Sequence, residues 1–286
     1  MENKMVDVYV TAAFSKDDKG GNKAGVVLGR SELTSVQKVA IANEMGYSET
    51  AFVLGSDKAD FKLQYFTPTE EVPLCGHATI AAFSTLNLLN MLDKPDCTIE
   101  TEAGILNIHI KDDGLILMEQ NRPTYLEVLG SNIFTGCIER NFIDHRFPIQ
   151  IVSTGLDDIM IPVDSAEHLE RLSPDLEMIA NISKEKGVVG VHAFTLMKES
   201  DVTAICRNFA PLYGIDEESA TGTASCALAC YLFKYYKQQS QFVFEQGHNM
   251  GEISRIVVNL SYHGDVIDSV FVGGYGYLLG KRSLPV

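Results

Sequence analysis

Short alternating apolar runs separated by Gly, Asp and Pro clusters fill most of the chain, and two longer stretches are apolar on every side. Residues 7–11 and 24–28 read as strands, divided by a turn at 16–22 that contains Gly20-Gly21. A helix follows. Thr34 and Gln37 form its capping box, Val36, Val39 and Ala40 make its apolar stripe, and Gly46 is its stop. Strands are then expected at 48–54, at 61–66 with Phe61, Leu63 and Tyr65 alternating, at 97–111 and at 115–119, the last two around the hairpin signal Asp112-Asp113-Gly114. Further on, 149–154 and 159–163 read as strands. Leu172-Ser173-Pro174 opens a helix with a Ser cap and Pro in its first position, ending near Gly187. Strands at 191–196, 202–209, 241–245, 253–260 and 266–272 complete the pattern.

The two fully apolar stretches are copies of one design. Phe66-Thr67-Pro68 and Phe209-Ala210-Pro211 each lead through an acidic loop to a glycine that opens an Ala-rich helix. Gly76, Ala78, Ala81 and Leu86 in the first recur at constant spacing as Gly222, Ala224, Ala227 and Leu232. Each half reads β-β-α-β-β-α-β-β, so the chain is a duplication. A mostly antiparallel sheet wrapped around the apolar helix buries that helix on every face. The expected fold is therefore α+β: two pseudo-symmetric barrel-like domains, 1–121 and 122–286, with a site between them and the last strand free to pack back on the first domain. The copies differ in one acid. Residues 49–54 match 191–196, but Glu49 has Val191 as its twin.

Composition narrows the function. The 286 residues are 45% apolar, ample for a core. A balance of 23 basic against 38 acidic side chains, net −15, argues against nucleic-acid or anionic-membrane partners. Residues 1–7 run into a strand pattern without an apolar signal core, and no run reaches membrane-spanning length. Six scattered cysteines, none in CxxC spacing, suit reduced thiols and a cytoplasmic setting. The histidines form no zinc spacing, so no metal is expected. Gly274-x-Gly276 lacks the dinucleotide spacing and a following helix, and no Walker loop or Gly-x-Ser-x-Gly occurs, so no cofactor is expected either.

The two glycine-opened helices carry the candidate chemistry. First-turn N–H groups have no intrahelical partner and, with the helix dipole, attract an anion. Gly222, Thr223 and Ala224 offer backbone N–H groups and a hydroxyl to a substrate carboxylate. His77 lies in the first turn of its helix, where the dipole favours a neutral imidazole that donates to substrate or simply fills space. Cys75, just before that turn, is an acid, a base or an inert auxiliary group. Gln246 either bonds the same ligand or shapes the turn at Gly247.

Seven short motifs in one order resemble the PhzF (phenazine biosynthesis-like) isomerase family. They are Asn22-Lys23-Ala24-Gly25-Val26-Val27, Ser48-Glu49-Thr50-Ala51-Phe52-Val53, Tyr65-Phe66-Thr67-Pro68, Leu74-Cys75-Gly76-His77-Ala78-Thr79, Arg207-Asn208-Phe209-Ala210-Pro211, Ala220-Thr221-Gly222-Thr223-Ala224 and Glu245-Gln246-Gly247. The resemblance implies a diaminopimelate epimerase-like fold, often a homodimer, and cofactor-free isomerase chemistry at a carbon acid. It makes the acid matching Glu49 the group that moves the proton and places Gly76, His77, Gly222 and Thr223 along a small carboxylate-bearing substrate. Burial between two domains would raise the Glu49 pKa, as suits such a base. Glu218-Ser219 stands where the family commonly reads Asp-Pro, which bears on any substrate contact from Glu218. Racemases of this fold use two opposed cysteines, but the partner position of Cys75 holds Ser219. The competing readings are an amino-acid epimerase or racemase using Glu49 with Cys75, and a non-catalytic small-anion binder.

Overall fold

A computed structural model describes residues 5–30 and 32–285. Residues 1–4, part of the N-terminal stretch considered above, lie outside the described residues. The chain forms two compact units, Met1–Glu119 with Gly273–Val286, and Gln120–Val272.

The first unit contains β1 (Met5–Ser15), β2 (Asn22–Leu28), α1 (Ser35–Met45), β3 (Thr50–Leu54), β4 (Phe61–Phe66), β5 (Glu71–Val72), α2 (Gly76–Leu88), β6 (Asp96–Thr101), β7 (Gly104–Ile110) and β8 (Ile116–Gln120). Two pairings in it are parallel, β2 with β3 and β4 with β6. Parallel neighbours need a crossover. Helix α1 supplies the first and α2 the second. The other neighbours, β1–β2, β3–β4, β4–β5, β6–β7 and β7–β8, are antiparallel.

The second unit contains β9 (Thr124–Leu129), β10 (Ile149–Ser153), β11 (Asp157–Pro162), α3 (Ala166–Arg171), α4 (Leu176–Lys186), β12 (Gly190–Leu196), β13 (Ala204–Ala210), β14 (Ile215–Glu218), α5 (Gly222–Tyr235), β15 (Gln241–Gln246) and β16 (Ser254–His263). Its parallel pairs are β11 with β12, across α3 and α4, and β13 with β15, across α5. The order of crossovers repeats that of the first unit. The last strand, β17 (Val266–Pro285), continues far beyond residue 272, where the apolar alternation breaks into glycines. Its end pairs antiparallel with β1, from Met5 opposite Pro285 to Ser15 opposite Tyr275, and β17 also pairs with β8. The glycines are there for close approach. A Cβ at Gly273 would lie 1.9 Å from the Ile116 carbonyl oxygen.

Each unit has a helix buried on every face along most of its length. In α2 every residue from His77 to Leu86 is buried, and in α5 every residue from Ala224 to Phe233. Small residues let the sheet pack against them, and hydroxyls bond inside the helix. Thr79 Oγ1 donates to the Cys75 carbonyl at 2.7 Å, and Thr85 Oγ1 donates to the Ala81 carbonyl at 2.8 Å. Outer helices cover second cores: α1 over Val6, Val8, Phe52 and Phe66, and α3 with α4 over Ile149, Ile159, Ile161 and Val191.

Three sequence expectations need correction. Of the expected apolar stripe on α1, Val39 packs against the core, but Val36 and Ala40 do not belong to it. Val36 is 79% exposed, and the buried face is Lys38, Ile41, Ala42 and Met45. Lys38 is accommodated because its ammonium donates to Gln64 Oε1 at 2.5 Å and lies over the Phe52 and Phe66 rings. The single strand expected at 97–111 is two, because Gly104, at φ 124°, turns the chain and Thr101 Oγ1 closes the turn on its carbonyl at 2.9 Å. The helix expected from Ser173-Pro174 is capped by Asp175 instead, whose side chain accepts from the Met178 N–H, and α3 with its Ser165 cap precedes it. Proline favours extended backbone at the residue before it, which keeps Ser173 out of the helix.

Candidate active site

Side chains cap the outer helices but neither central one. Thr34, Ser165 and Asp175 accept from first-turn N–H groups of α1, α3 and α4. Cys75 and Thr221, the residues that precede α2 and α5, make no side-chain cap. The residue that opens each buried helix thus leaves the first-turn N–H groups without a cap from its own side chain.

At the mouth of α2 three of the candidate side chains meet. Glu49 comes from the residue before β3, and Gly25 N–H donates to its carbonyl at 3.3 Å. Its carboxylate Oε2 lies 3.2 Å from His77 Nε2, with the Glu49 side chain 20% and the His77 side chain 8% exposed. Cys75 Sγ is 3.4 Å from His77 Nδ1, and Ser48 Oγ is 3.4 Å from Nε2. The backbone beneath is fixed. Thr79 spends its one hydrogen on the Cys75 carbonyl, so the buried Tyr65 hydroxyl donates to Thr79 Oγ1, at 2.6 Å.

The protonation of this trio reverses the sequence expectation. Burial pushes the Glu49 carboxyl up, but the nearby His77, helped by Ser48 and Cys75, outweighs it and holds the group below its ordinary value. Burial likewise opposes a charged His77, yet its neighbours Cys75 and Glu49 hold it well above the ordinary imidazole range. For Cys75, burial prevails and the thiol is raised. The imidazole therefore sits between two acidic groups, the Glu49 carboxylate at 3.2 Å from Nε2 and the Cys75 sulfur at 3.4 Å from Nδ1. A raised Glu49 and a neutral His77 follow from burial and helix dipole alone; their mutual contact reverses both.

Gly76 begins α2, and its backbone does not have the positive φ that demands glycine. A Cβ there would meet only the mobile end of Met118, at 3.7 Å. Packing therefore gives no reason for glycine at this position.

The mouth of α5 is organised by Gln246. Its amide donates to the Glu218 carbonyl at 2.6 Å and to Thr221 Oγ1 at 3.0 Å, and its Oε1 accepts from Thr221 N–H at 3.3 Å. Both amide hydrogens are engaged in the 218–221 loop. Thr221 Oγ1 in turn donates to Glu218 Oε2 at 2.6 Å. Gly222 and Ala224 are buried and Thr223 is half-buried, its carbonyl accepting from Thr154 Oγ1 at 3.3 Å. Further along α5, Cys226 and Cys230 are buried thiols, the latter pushed up to about 12 by burial.

Two buried groups of the second unit escaped the sequence reading. Asp158 is 1% exposed, with one carboxyl oxygen lacking a protein hydrogen-bond partner. Burial first, then the charges of Glu218 and Asp157, push it up to about 8, so it is protonated at neutral pH. His192 is fully buried and accepts at Nδ1 from Asn208 Nδ2 at 3.2 Å; burial lowers it to about 3 and keeps it neutral. The register places both on one sheet face, since Met160 pairs with His192 and Asp158 lies two residues away. Nothing in the surrounding sequence distinguishes either from a surface residue.

Two open clefts lie apart from the helix mouths. One, about 470 Å³, is lined by Leu169, Ile205, Arg207, His248 and Asn249. Its guanidinium is fully committed to Glu217 and to the carbonyls of Leu169, Glu170 and Leu172. The other, about 360 Å³, is lined by Asp17, Asp18, Asp113, Ser84 and Tyr275.

Sheets wrapped around a buried helix in each of two duplicated units, with an acid at one helix mouth, define an α+β protein of the diaminopimelate epimerase-like class. The family model for phenazine biosynthesis-like proteins (PhzC-PhzF) matches residues 11–280, and the chain belongs to that family. It is 33% identical to an uncharacterized isomerase of Clostridium acetobutylicum, over 97% of both chains. It is 32% identical to the uncharacterized isomerase YddE of Escherichia coli, over 95% of this chain and 96% of that one. The crystal structure of a PhzF-family phenazine biosynthesis protein from Bacillus anthracis superposes with a TM-score of 0.90 at 29% identity, covering 99% of this chain and all of that one. The protein is an isomerase.

Proposed function

We propose that the protein is a cofactor-independent isomerase that moves a proton on a small carboxylate-bearing carbon acid, with Glu49 as the group that takes the proton and returns it. The observation that carries this reading is the Glu49–His77 pair, a mostly buried carboxylate 3.2 Å from an imidazole at an uncapped helix mouth.

Held below its ordinary value, Glu49 is fully ionised at neutral pH and ready to accept a proton. It is then a weak base, and a substrate helps to correct that. An anionic group entering beside His77 competes for the imidazolium and loosens its hold on Glu49, which strengthens the base when the carbon acid is in place. His77 and the N–H groups at Gly76 face the negative charge that develops as the proton leaves. In the second unit the mouth formed by Gly222, Thr223 and Ala224, with Glu218 behind Thr221, offers its own N–H groups and a hydroxyl to a carboxylate. Six free, buried cysteines suit a reducing, cytoplasmic setting. Among the described residues no helix is long and apolar enough to cross a membrane.

Glu49→Gln tests the assignment, because it keeps the size of the side chain and removes the base. Turnover should fall by at least about a hundredfold, the usual contribution of a positioned acid/base. Affinity for a bound carboxylate, read by ligand-observed NMR, should stay within a few fold. Unchanged turnover would exclude Glu49 as the proton carrier.

A further inference from the structure

The sequence holds no zinc spacing, yet folding brings a carboxylate, a thiol and an imidazole together at the mouth of α2. Donor atoms of Glu49, Cys75 and His77 all lie within 4.8 Å of one another, the only such group of three among the described residues. We propose that these three side chains form a binding site for a borderline-soft divalent metal ion such as Zn²⁺ or Co²⁺, with the fourth coordination position open.

Distances support a four-coordinate ion. Bonds of about 2.0–2.3 Å in a tetrahedron set ligand atoms roughly 3.3–3.8 Å apart. Glu49 Oε2 and His77 Nε2 are 3.2 Å apart, and Cys75 Sγ and His77 Nε2 are 3.9 Å apart. Both of these pairs lie within a few tenths of an ångström of the tetrahedral range, and the third pair lies within 4.8 Å. One donor is already available: Glu49 Oε2 is buried and, although His77 is near, it accepts no well-aligned hydrogen bond. The supporting backbone is rigid, with Cys75 and His77 two residues apart at a helix start held by Thr79 and Tyr65. Thiolate and imidazole together select zinc and cobalt over magnesium and calcium, which prefer all-oxygen shells.

On binding, the Cys75 thiol and the His77 imidazolium each release a proton to solvent, and the ion accepts an electron pair from S, N and O. Metal binding and proton transfer then exclude one another, because both use the Glu49 carboxylate. That consequence rests on the isomerase reading, whereas the binding itself does not.

Chelator-stripped protein titrated with Co²⁺ alone separates the two. The wild type should bind one equivalent, with the visible bands of a four-coordinate cobalt ion and a near-ultraviolet thiolate-to-cobalt charge-transfer band, and Zn²⁺ should erase both. Cys75→Ser should lose the charge-transfer band. Glu49→Gln should keep that band and weaken binding by roughly tenfold or more. Cys97→Ser, which alters a thiol of the same unit outside the trio, should behave as wild type, and circular dichroism of each variant verifies its fold. A wild type without the charge-transfer band, or a folded Cys75→Ser that retains it, would overturn the site. Zn²⁺ bound at one equivalent with proton exchange unimpaired would overturn only the exclusion of catalysis.

Discussion

Glu49 Oε2 and His77 Nε2 lie 3.2 Å apart, and each residue sets the charge of the other. Because burial alone would lower His77, removing the carboxylate should let it fall. In Glu49→Gln the imidazole titration followed by proton NMR should move down from its position well above 6.5. An unmoved midpoint would mean that Glu49 does not hold the proton on His77.

The same pair makes stability depend on pH in a defined sense. The folded Glu49 value is depressed, so its contribution is complete above the ordinary 4.5 and is lost as pH falls through the folded value. The folded His77 value is raised, so its contribution is complete below the ordinary 6.5 and is lost as pH rises through the folded value. The Tm gap between wild type and Glu49→Gln should be widest between pH 4.5 and 6.5 and should narrow on both sides. A gap that widens steadily toward alkaline pH would contradict the ion pair.

Gly76→Ala separates function from packing. The new methyl group meets only Met118 Cε at 3.7 Å, and alanine is the better helix former by up to about 1 kcal/mol. Thermal stability should be unchanged or slightly higher, while turnover falls at least about tenfold through blocked approach to the helix N–H groups. Normal turnover in the folded variant would show that no ligand needs that space.

Much of this was legible in the sequence, for identifiable reasons. The repeated Phe-x-Pro and glycine-opened helices gave away the duplication, and α2 and α5 begin at Gly76 and Gly222 as expected. The Thr34 and Gln37 capping box and the left-handed Gly46 stop are local features, and local chemistry specified them. What failed was tertiary. Lys38 is buried because Gln64 and two phenylalanines from β3 and β4 receive it, which no helical periodicity reveals. The protonation of His77 depends on a residue from another element. Residues Glu49, Cys75 and His77 were all named from the sequence, but their convergence as three metal donors appears only in the fold.

Asp158 shows the opposite linkage to Glu49. Its folded value, about 8, is above the ordinary 3.8, so its contribution is complete below 3.8 and is lost as pH rises through 8. Asp158→Asn keeps the shape and cannot ionise. Its Tm should gain on the wild type progressively between pH 4 and pH 8. A difference that stays flat across that range would show that Asp158 is not buried as an acid.

Proton exchange in D₂O addresses the central claim most directly. Wild type, Glu49→Gln and Cys75→Ala are incubated with a panel of amino acids and of cyclic hydroxy- and amino-dienoic acids, and loss of C–H signals is followed by NMR. The account predicts exchange into a carboxylate-bearing compound that disappears in Glu49→Gln and persists in Cys75→Ala. Exchange that persists without the Glu49 carboxylate, or that requires the Cys75 thiol, would contradict it and point to an epimerase working through the cysteine.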